Sequence, residues 1–422
     1  MRKTSLALAV AASTLGLSLS QAAFADFIGD SKATIEARNF YFNRDFRQEG
    51  ASQSKSEEWA QGFILRANSG FTEGTVGFGA DAIGMFGFKL DSGDGTAGSG
   101  LLVPDGPKSV RGSQDNNSDL AVAAKAKISN STLRVGQMQF KNAAIASSDG
   151  RLLPQVFEAG HLVSQEIDGL MLEAAHVREV NNRNSNDYED ISIISGGQRG
   201  IETTGGTTSD SFDFIGGTYK VSKDLTAGYY YSNLDELYKQ HSFNAVHVLP
   251  LGDKQSLKTD LRYARSTDDG RRSNVDNTAI GAMVTYGLGG HAFGLGYQKM
   301  SGDTGFAYLN NTDPFLVNYV QISDFGNKDE KSYQARYDYN FASIGIPGLT
   351  FMTRYLTGDN VDRGRNLSEG KEWERNTELM YVFQEGALKN LGVRWRNASV
   401  RSNFANDLDE NRLIVSYTLP LL

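Results

Sequence analysis

After residue 26, apolar and polar side chains trade places one by one along nearly the whole chain. That period of two belongs to β-strands with one apolar and one polar face. In 333–341, Tyr333, Ala335, Tyr337, Tyr339 and Phe341 oppose Gln334, Arg336, Asp338 and Asn340. In 391–401, Leu391, Val393 and Trp395 oppose Gly392, Arg394 and Arg396. The same pattern returns in 75–90, 257–263, 349–355 and 413–419. One face collects Tyr, Phe, Trp and Leu, the other Arg, Lys, Asp, Gln and Gly. A soluble sandwich would reverse the contrast, with a polar exterior and an aliphatic interior. No fixed repeat of a propeller or solenoid is present.

The connections alternate too. Short turns at Asn68–Glu73, Ser129–Ser131, Glu166–Gly169, Ser222–Asp224, Leu251–Lys254, Leu288–Gly290, Ser343–Gly348 and Gln384–Asn390 are separated by mostly longer polar segments. Those longer segments are 44–57, 90–119, 140–157, 180–211, 267–277, 301–331, 358–372 and 402–409, with one brief link near Asp235–Tyr238. The spacing predicts an all-β, transmembrane antiparallel β-barrel of about eighteen strands, with short periplasmic turns and long extracellular loops, some folded inward. Closure removes the unpaired sheet edges that lipid forbids. A barrel of that width encloses an aqueous lumen.

Composition agrees and excludes alternatives. Forty-six glycines against 7 prolines, with 18 tyrosines and 23 phenylalanines, suit many strands and turns. No cysteine is present, so disulfides and thiolate metal sites are excluded. The start, Met-Arg-Lys, then an apolar stretch to about Leu19, then Ala23-Phe24-Ala25, reads as a secretory signal peptide over residues 1–25 with a mature barrel over 26–422. Removing Arg2 and Lys3 moves the formal charge from −8 to −10, and an acidic balance disfavours nucleic acid as a partner. HExxH, GxSxG and phosphate-binding loops are missing, and the five histidines lack metal spacing. No enzyme, no metal and no cofactor are expected.

With the apolar face toward lipid, the alternate residues line the pore. Arg336, Arg354, Arg394, Arg396 and Arg412 then form a positive stripe on the C-terminal strands. Closure brings the first strand, with Arg38, to the same wall, and Arg134 with Lys125 and Lys127 forms a smaller basic set, Arg262 standing between. A guanidinium grips a carboxylate through two parallel hydrogen bonds, and a row of them passes an anion along without one deep trap. The competing reading pairs each arginine with a nearby acid such as Asp338 or Glu378, as wall support. The segment 140–157 is apolar for a water-facing loop, and with Asp149 and Arg151 it is a candidate constriction; Asp303, Tyr308 and Asp313 in 301–331 are the matching candidates from a second loop.

Several segments also resemble the OprD-type substrate-specific outer-membrane porins: ARNFYFNRDFRQ (37–48), EEWAQGF (57–63), SGFTEGTVGFGADA (69–82), RLLPQVF (151–157), SYQARYDYNFASIGIPGLTFMTRY (332–355) and DENRLIVSYTLPLL (409–422). The resemblance implies eighteen strands, an eyelet formed by inward-folded loops and a ladder of arginines. VRWRNASVRS (393–402) looks like the ladder segment, carrying Arg394 and Arg396, followed by Arg412 and Arg354, then Arg38 and Arg134. MSGDTGFAYLNNTDPF (300–315) and RNFYFNRDFRQ look most like the subgroup associated with cyclic and aromatic carboxylates. The chain departs from many outer-membrane barrels in ending Pro420-Leu421-Leu422 rather than in Phe or Trp.

Passive uptake of small carboxylates across a Gram-negative outer membrane is therefore the expected function, aromatic or cyclic acids the expected class. The alternatives are a channel for basic amino acids or peptides, a general-diffusion porin, or a barrel hydrolase. Expected partners are the solute, outer-membrane lipid and lipopolysaccharide, and the barrel-assembly machinery, with the chain a monomer or a loose homotrimer.

Overall fold

The structure, a computed structural model, describes residues 27–106, 112–194, 196–270 and 272–422. The expected signal peptide, residues 1–25, lies outside the described residues.

Eighteen long antiparallel strands make one closed sheet. The first nine are β1 (Lys32–Phe46), β2 (Lys55–Asn68), β3 (Gly77–Ser92), β4 (Asn116–Ile128), β5 (Ser131–Met138), β6 (Val156–Ile167), β7 (Leu170–Asn181), β8 (Phe212–Lys220) and β9 (Leu225–Leu234). The second nine are β10 (Tyr238–Gly252), β11 (Gln255–Asp268), β12 (Asp276–Leu288), β13 (His291–Ser301), β14 (Lys331–Asn340), β15 (Leu349–Val361), β16 (Gly370–Val382), β17 (Gly392–Ser402) and β18 (Leu408–Pro420). Each pairs with its successor, and β1 closes on β18 with Arg38 opposite Ser416 and Phe42 opposite Arg412. The two-residue turns 129–130, 168–169, 253–254 and 289–290 lie at the end where Lys32 and Pro420 sit; the long connections 93–115, 139–155, 182–211 and 302–330 lie at the other.

Side-chain burial separates the faces. Leu295 is 70% exposed and Trp395 41%, whereas Arg412, next to Leu413 on the same strand, is 2% exposed. Outward apolar side chains without a protein partner suit hydrocarbon. Aromatic pairs mark two heights of this outer face. Tyr297 with Tyr333 and Tyr355 with Trp373, at 5.3 and 5.7 Å between centroids, lie toward the long-loop end, and Phe293 with Tyr337, at 5.2 Å, lies toward the other.

The core lies inside the barrel, between its wall and the infolded loops. One cluster joins Phe40, Phe42 and Ile64 of the wall to Leu101, Leu152 and Leu153 of the loops. A second joins Phe157, Phe212, Phe214 and Tyr230 to Phe140, Ile145 and Leu309. The apolar character noted in 140–157 is thereby explained, since Leu152 and Ile145 are buried inside the lumen. Two inward positions are glycine where the loop presses closest. A methyl group on Gly62 or Gly87 would meet Leu152 at 3.1 or 2.9 Å, inside ordinary contact.

Candidate functional site

The loop 139–155 is fixed in the lumen by the wall of β1. Arg38 Nη1 donates to Asp149 Oδ1 at 2.7 Å and to the Arg151 carbonyl at 2.8 Å, while its Nε donates to Glu36 at 2.8 Å. The turn inside the loop is closed by Asn142, whose side chain accepts from the Ala144 and Ile145 amides. The loop 302–330 meets it, with the Asp313 amide donating to the Ala146 carbonyl at 3.0 Å. It is also tied to the wall at β16, because the Ile322 and Ser323 amides donate to the Glu374 carboxylate.

Between the two loops and the wall lies a cavity of about 330 Å³. Arg44, Arg151, Arg183, Arg396 and Arg412 line it, facing Tyr308, Asp313 and Tyr319. Glu410 Oε2 accepts from Arg44 Nε and Nη2 at 2.8 and 2.5 Å, and Oε1 accepts from Arg412 Nε at 2.6 Å. Arg151 instead donates to the Ser99 and Gly150 carbonyls, and Arg183 to Ser148 Oγ. Neither has a carboxylate within ion-pair distance among the described residues. Burial lowers the pKa of both guanidiniums, and their mutual repulsion with Arg412 and Arg44 lowers it further. On the facing side Tyr319 donates to Asp313 at 2.8 Å and Tyr308 to Asp324 at 2.9 Å. Burial raises the pKa of both phenols, so they stay neutral donors.

Toward the short-turn end two further spaces continue the path. One, of about 510 Å³, shares Tyr319 with the first cavity and reaches Arg262, Arg336 and Arg354. The other, of about 620 Å³, shares Arg336 and Arg354 with the second and Arg396 with the first. In register, Arg336 is opposite Arg354 and Arg396 is opposite Arg412, so the arginines come in cross-strand pairs. Like charges set opposite each other repel. Acids on the same wall compensate: Asp338 forks onto Arg336 with both bonds at 2.7 Å, and Glu378 lies 3.0 Å from Arg396 and 3.7 Å from Arg394. Among the described residues Arg354 has only the Asn376 amide oxygen, at 2.7 Å.

The sequence profile of the outer membrane porins of the OprD family matches residues 25–421. The chain belongs to the OprD family of outer membrane porins. Porin D of Pseudomonas aeruginosa is 38% identical over 458 residues, which cover 100% of this chain and 99% of that one. The crystal structure of OpdQ from Pseudomonas aeruginosa is 60% identical with a TM-score of 0.87, over 94% of this chain and 100% of that one. A BenF-like porin from Pseudomonas fluorescens Pf-5 is 40% identical with a TM-score of 0.88, again over 94% and 100% of the two chains. Family and barrel together make this protein a channel of the Gram-negative outer membrane.

The porin brings together most residues singled out from the sequence. Arg151, Tyr308, Asp313, Arg396 and Arg412 share the narrow cavity; Arg336 and Arg354 line its continuation. Asp149 and Arg38 sit at its edge as an ion pair. Three lie elsewhere: Arg394, 3.7 Å from Glu378, lines none of these three spaces, Arg134 is held with Lys125 by Asp81, at 3.2 and 2.6 Å, and Asp303 is exposed at the long-loop end beside Gly200. Arg44 and Arg183 were not singled out. Arg44 opens the segment 44–57, read from its polarity as a loop, although β1 runs on to Phe46; Arg183 stands in the featureless polar run NNRNSN. The spacing of Glu410 and Arg412, two apart on one strand face, is a signal that could have found the compensating acid.

Proposed function

We propose that this porin admits small carboxylates, with aromatic and cyclic acids as the preferred class, and that Arg412, Arg396, Arg354 and Arg336 form the ladder along which the anion descends. The long-loop end faces the medium in this reading and the short-turn end the periplasm. The observation that carries it is the charge imbalance at the smallest of the three spaces, where five guanidiniums meet Asp313 and the carboxylate of Glu410 behind Arg44 and Arg412. Arg151 and Arg183 contribute most to it, since neither has an acid partner among the described residues. A carboxylate entering the cavity exchanges hydration for forked guanidinium contacts, and each such charged hydrogen bond contributes about 1.5–3 kcal/mol. Beyond it, guanidiniums already shared with Asp338 and Glu378 hold an anion less tightly, which favours release over trapping. Tyr308, Tyr319 and Pro314 give a ring a flat surface opposite the cations.

The test is a single-channel recording of the purified protein in a planar bilayer. In a salt gradient the reversal potential should have the sign of anion preference, and benzoate should interrupt the current more than arginine does. A cation-selective channel that arginine blocks and benzoate ignores would remove this reading in favour of a channel for basic solutes.

A further inference from the structure

Resting on that channel reading, we infer that the solute best matched to the narrow cavity carries two carboxylate groups rather than one. Four guanidiniums converge beside one another. Those of Arg44, Arg151 and Arg412 lie 5.3, 5.3 and 5.6 Å from the centre of the buried Phe42 ring. Arg183 joins them, since one point, a methyl group placed on Gly100, would be 3.6 Å from Nε of both Arg151 and Arg183. Among the described residues the wall supplies a single carboxylate to this group. Glu410 is fully buried, and both of its oxygens are taken by Arg44, Arg412 and the Gln321 amide. The acid across the cavity, Asp313, is occupied by the Tyr319 hydroxyl.

Arg151 and Arg183 are thus the two members left to uncharged oxygens, and Nε of Arg183 has no hydrogen-bond partner among the described residues. A buried polar hydrogen without an acceptor is unfavourable. They come from different loops, Arg151 from 139–155 and Arg183 from 182–211, so neither is held to the other by the sheet. One entering carboxylate can fork onto one guanidinium and leaves its neighbour still uncompensated. A second carboxylate on the same rigid molecule answers the neighbour without a second entropic penalty of capture. The match is therefore to a compact dicarboxylate whose acid groups diverge from one ring, not to two separate monoanions.

The experiment uses the full chain in planar bilayers. Benzoate and the ortho, meta and para benzenedicarboxylates are added in turn at equal concentration, and the residence time of each current interruption is read. At least one dicarboxylate should reside about tenfold longer than benzoate, the ratio of one further charged contact. In Arg183→Gln that ratio should fall to about one, and Arg151→Gln supplies the same readout if the first variant assembles poorly. Benzoate residing as long as every dicarboxylate would overturn the inference while leaving the carboxylate channel standing. So would sulfate residing as long as the best dicarboxylate, since bare double charge would then suffice, or a ratio unchanged in both variants. If none of the four ring acids interrupts the current, the channel reading fails with it.

Discussion

Leu152 offers a direct measure of how firmly the constriction is held. Its side chain is fully buried inside the lumen, seated against Gly62 of β2 and Gly87 of β3. Leu152→Ala removes that contact. Buried Leu→Ala changes cost about 2–5 kcal/mol, the upper values applying where the surroundings cannot collapse. Here one side of the new space is backbone fixed by the ladders to β1 and β4, and glycine has no side chain to move in. About 4 kcal/mol is therefore expected, a shift of roughly a thousandfold in the balance between the seated and released loop. Release exposes the bond after Arg151, which Arg38 and Ser99 otherwise hold against the wall. Trypsin cleavage there follows the released population when closing is faster than cutting. The rate at Arg151 should rise by two to three orders of magnitude in Leu152→Ala (~100- to 1000-fold), whereas Leu152→Met, which conserves volume, should change it far less. Heat-modified gel mobility would confirm that both barrels are intact. A cleavage rate within about threefold of the parent in Leu152→Ala would refute the wedge role, and anchoring would then rest on the Arg38 ion pair.

Three further outcomes follow from the geometry. Glu410→Gln leaves Arg44 and Arg412 without their shared carboxylate, so thermal unfolding in detergent should show a loss of about 3–5 kcal/mol while anion preference rises; unchanged stability would mean that the pair is compensated elsewhere. Gly281→Val sets a branched side chain where a methyl group would already lie 2.8 Å from Val317, so the loop 302–330 must shift and unitary conductance should change. Leu295→Arg puts a charge on the outer face at its most exposed apolar strand position, and refolding into lipid should be less favourable by about 2–4 kcal/mol; a neutral result would place Leu295 away from the hydrocarbon midplane.

The barrel was legible because its signal is local. Trp395 and Arg396 are adjacent, and alternation alone assigns them to opposite faces, as their exposure bears out. The stripe on the last strands was legible for the same reason: once one face is assigned, Arg336, Arg354 and Arg412 follow by counting in twos. Pairing was half legible. Asp338 and Glu378 stood out as acids near the stripe; Asp338 holds Arg336 two positions away on its own strand, as counting in twos allows, but the hold of Glu378 on Arg396 depends on the cross-strand register of β16 and β17. The narrow cavity was least legible. Arg183 and Arg44 are 139 positions apart, and what joins them at one cavity is the folding of loops into the lumen, which leaves no local period in the sequence.

Gly62 and Gly87 carry one last implication. They are notches in the wall, and Leu152 is the tooth that enters them. Because the scaffold is recessed where the plug seats, the bore can be narrowed without adding a strand or bending one. Exchanging the plug between sister channels should then succeed wherever the notches are kept, and should fail where a side chain has filled them, however alike the two plugs are.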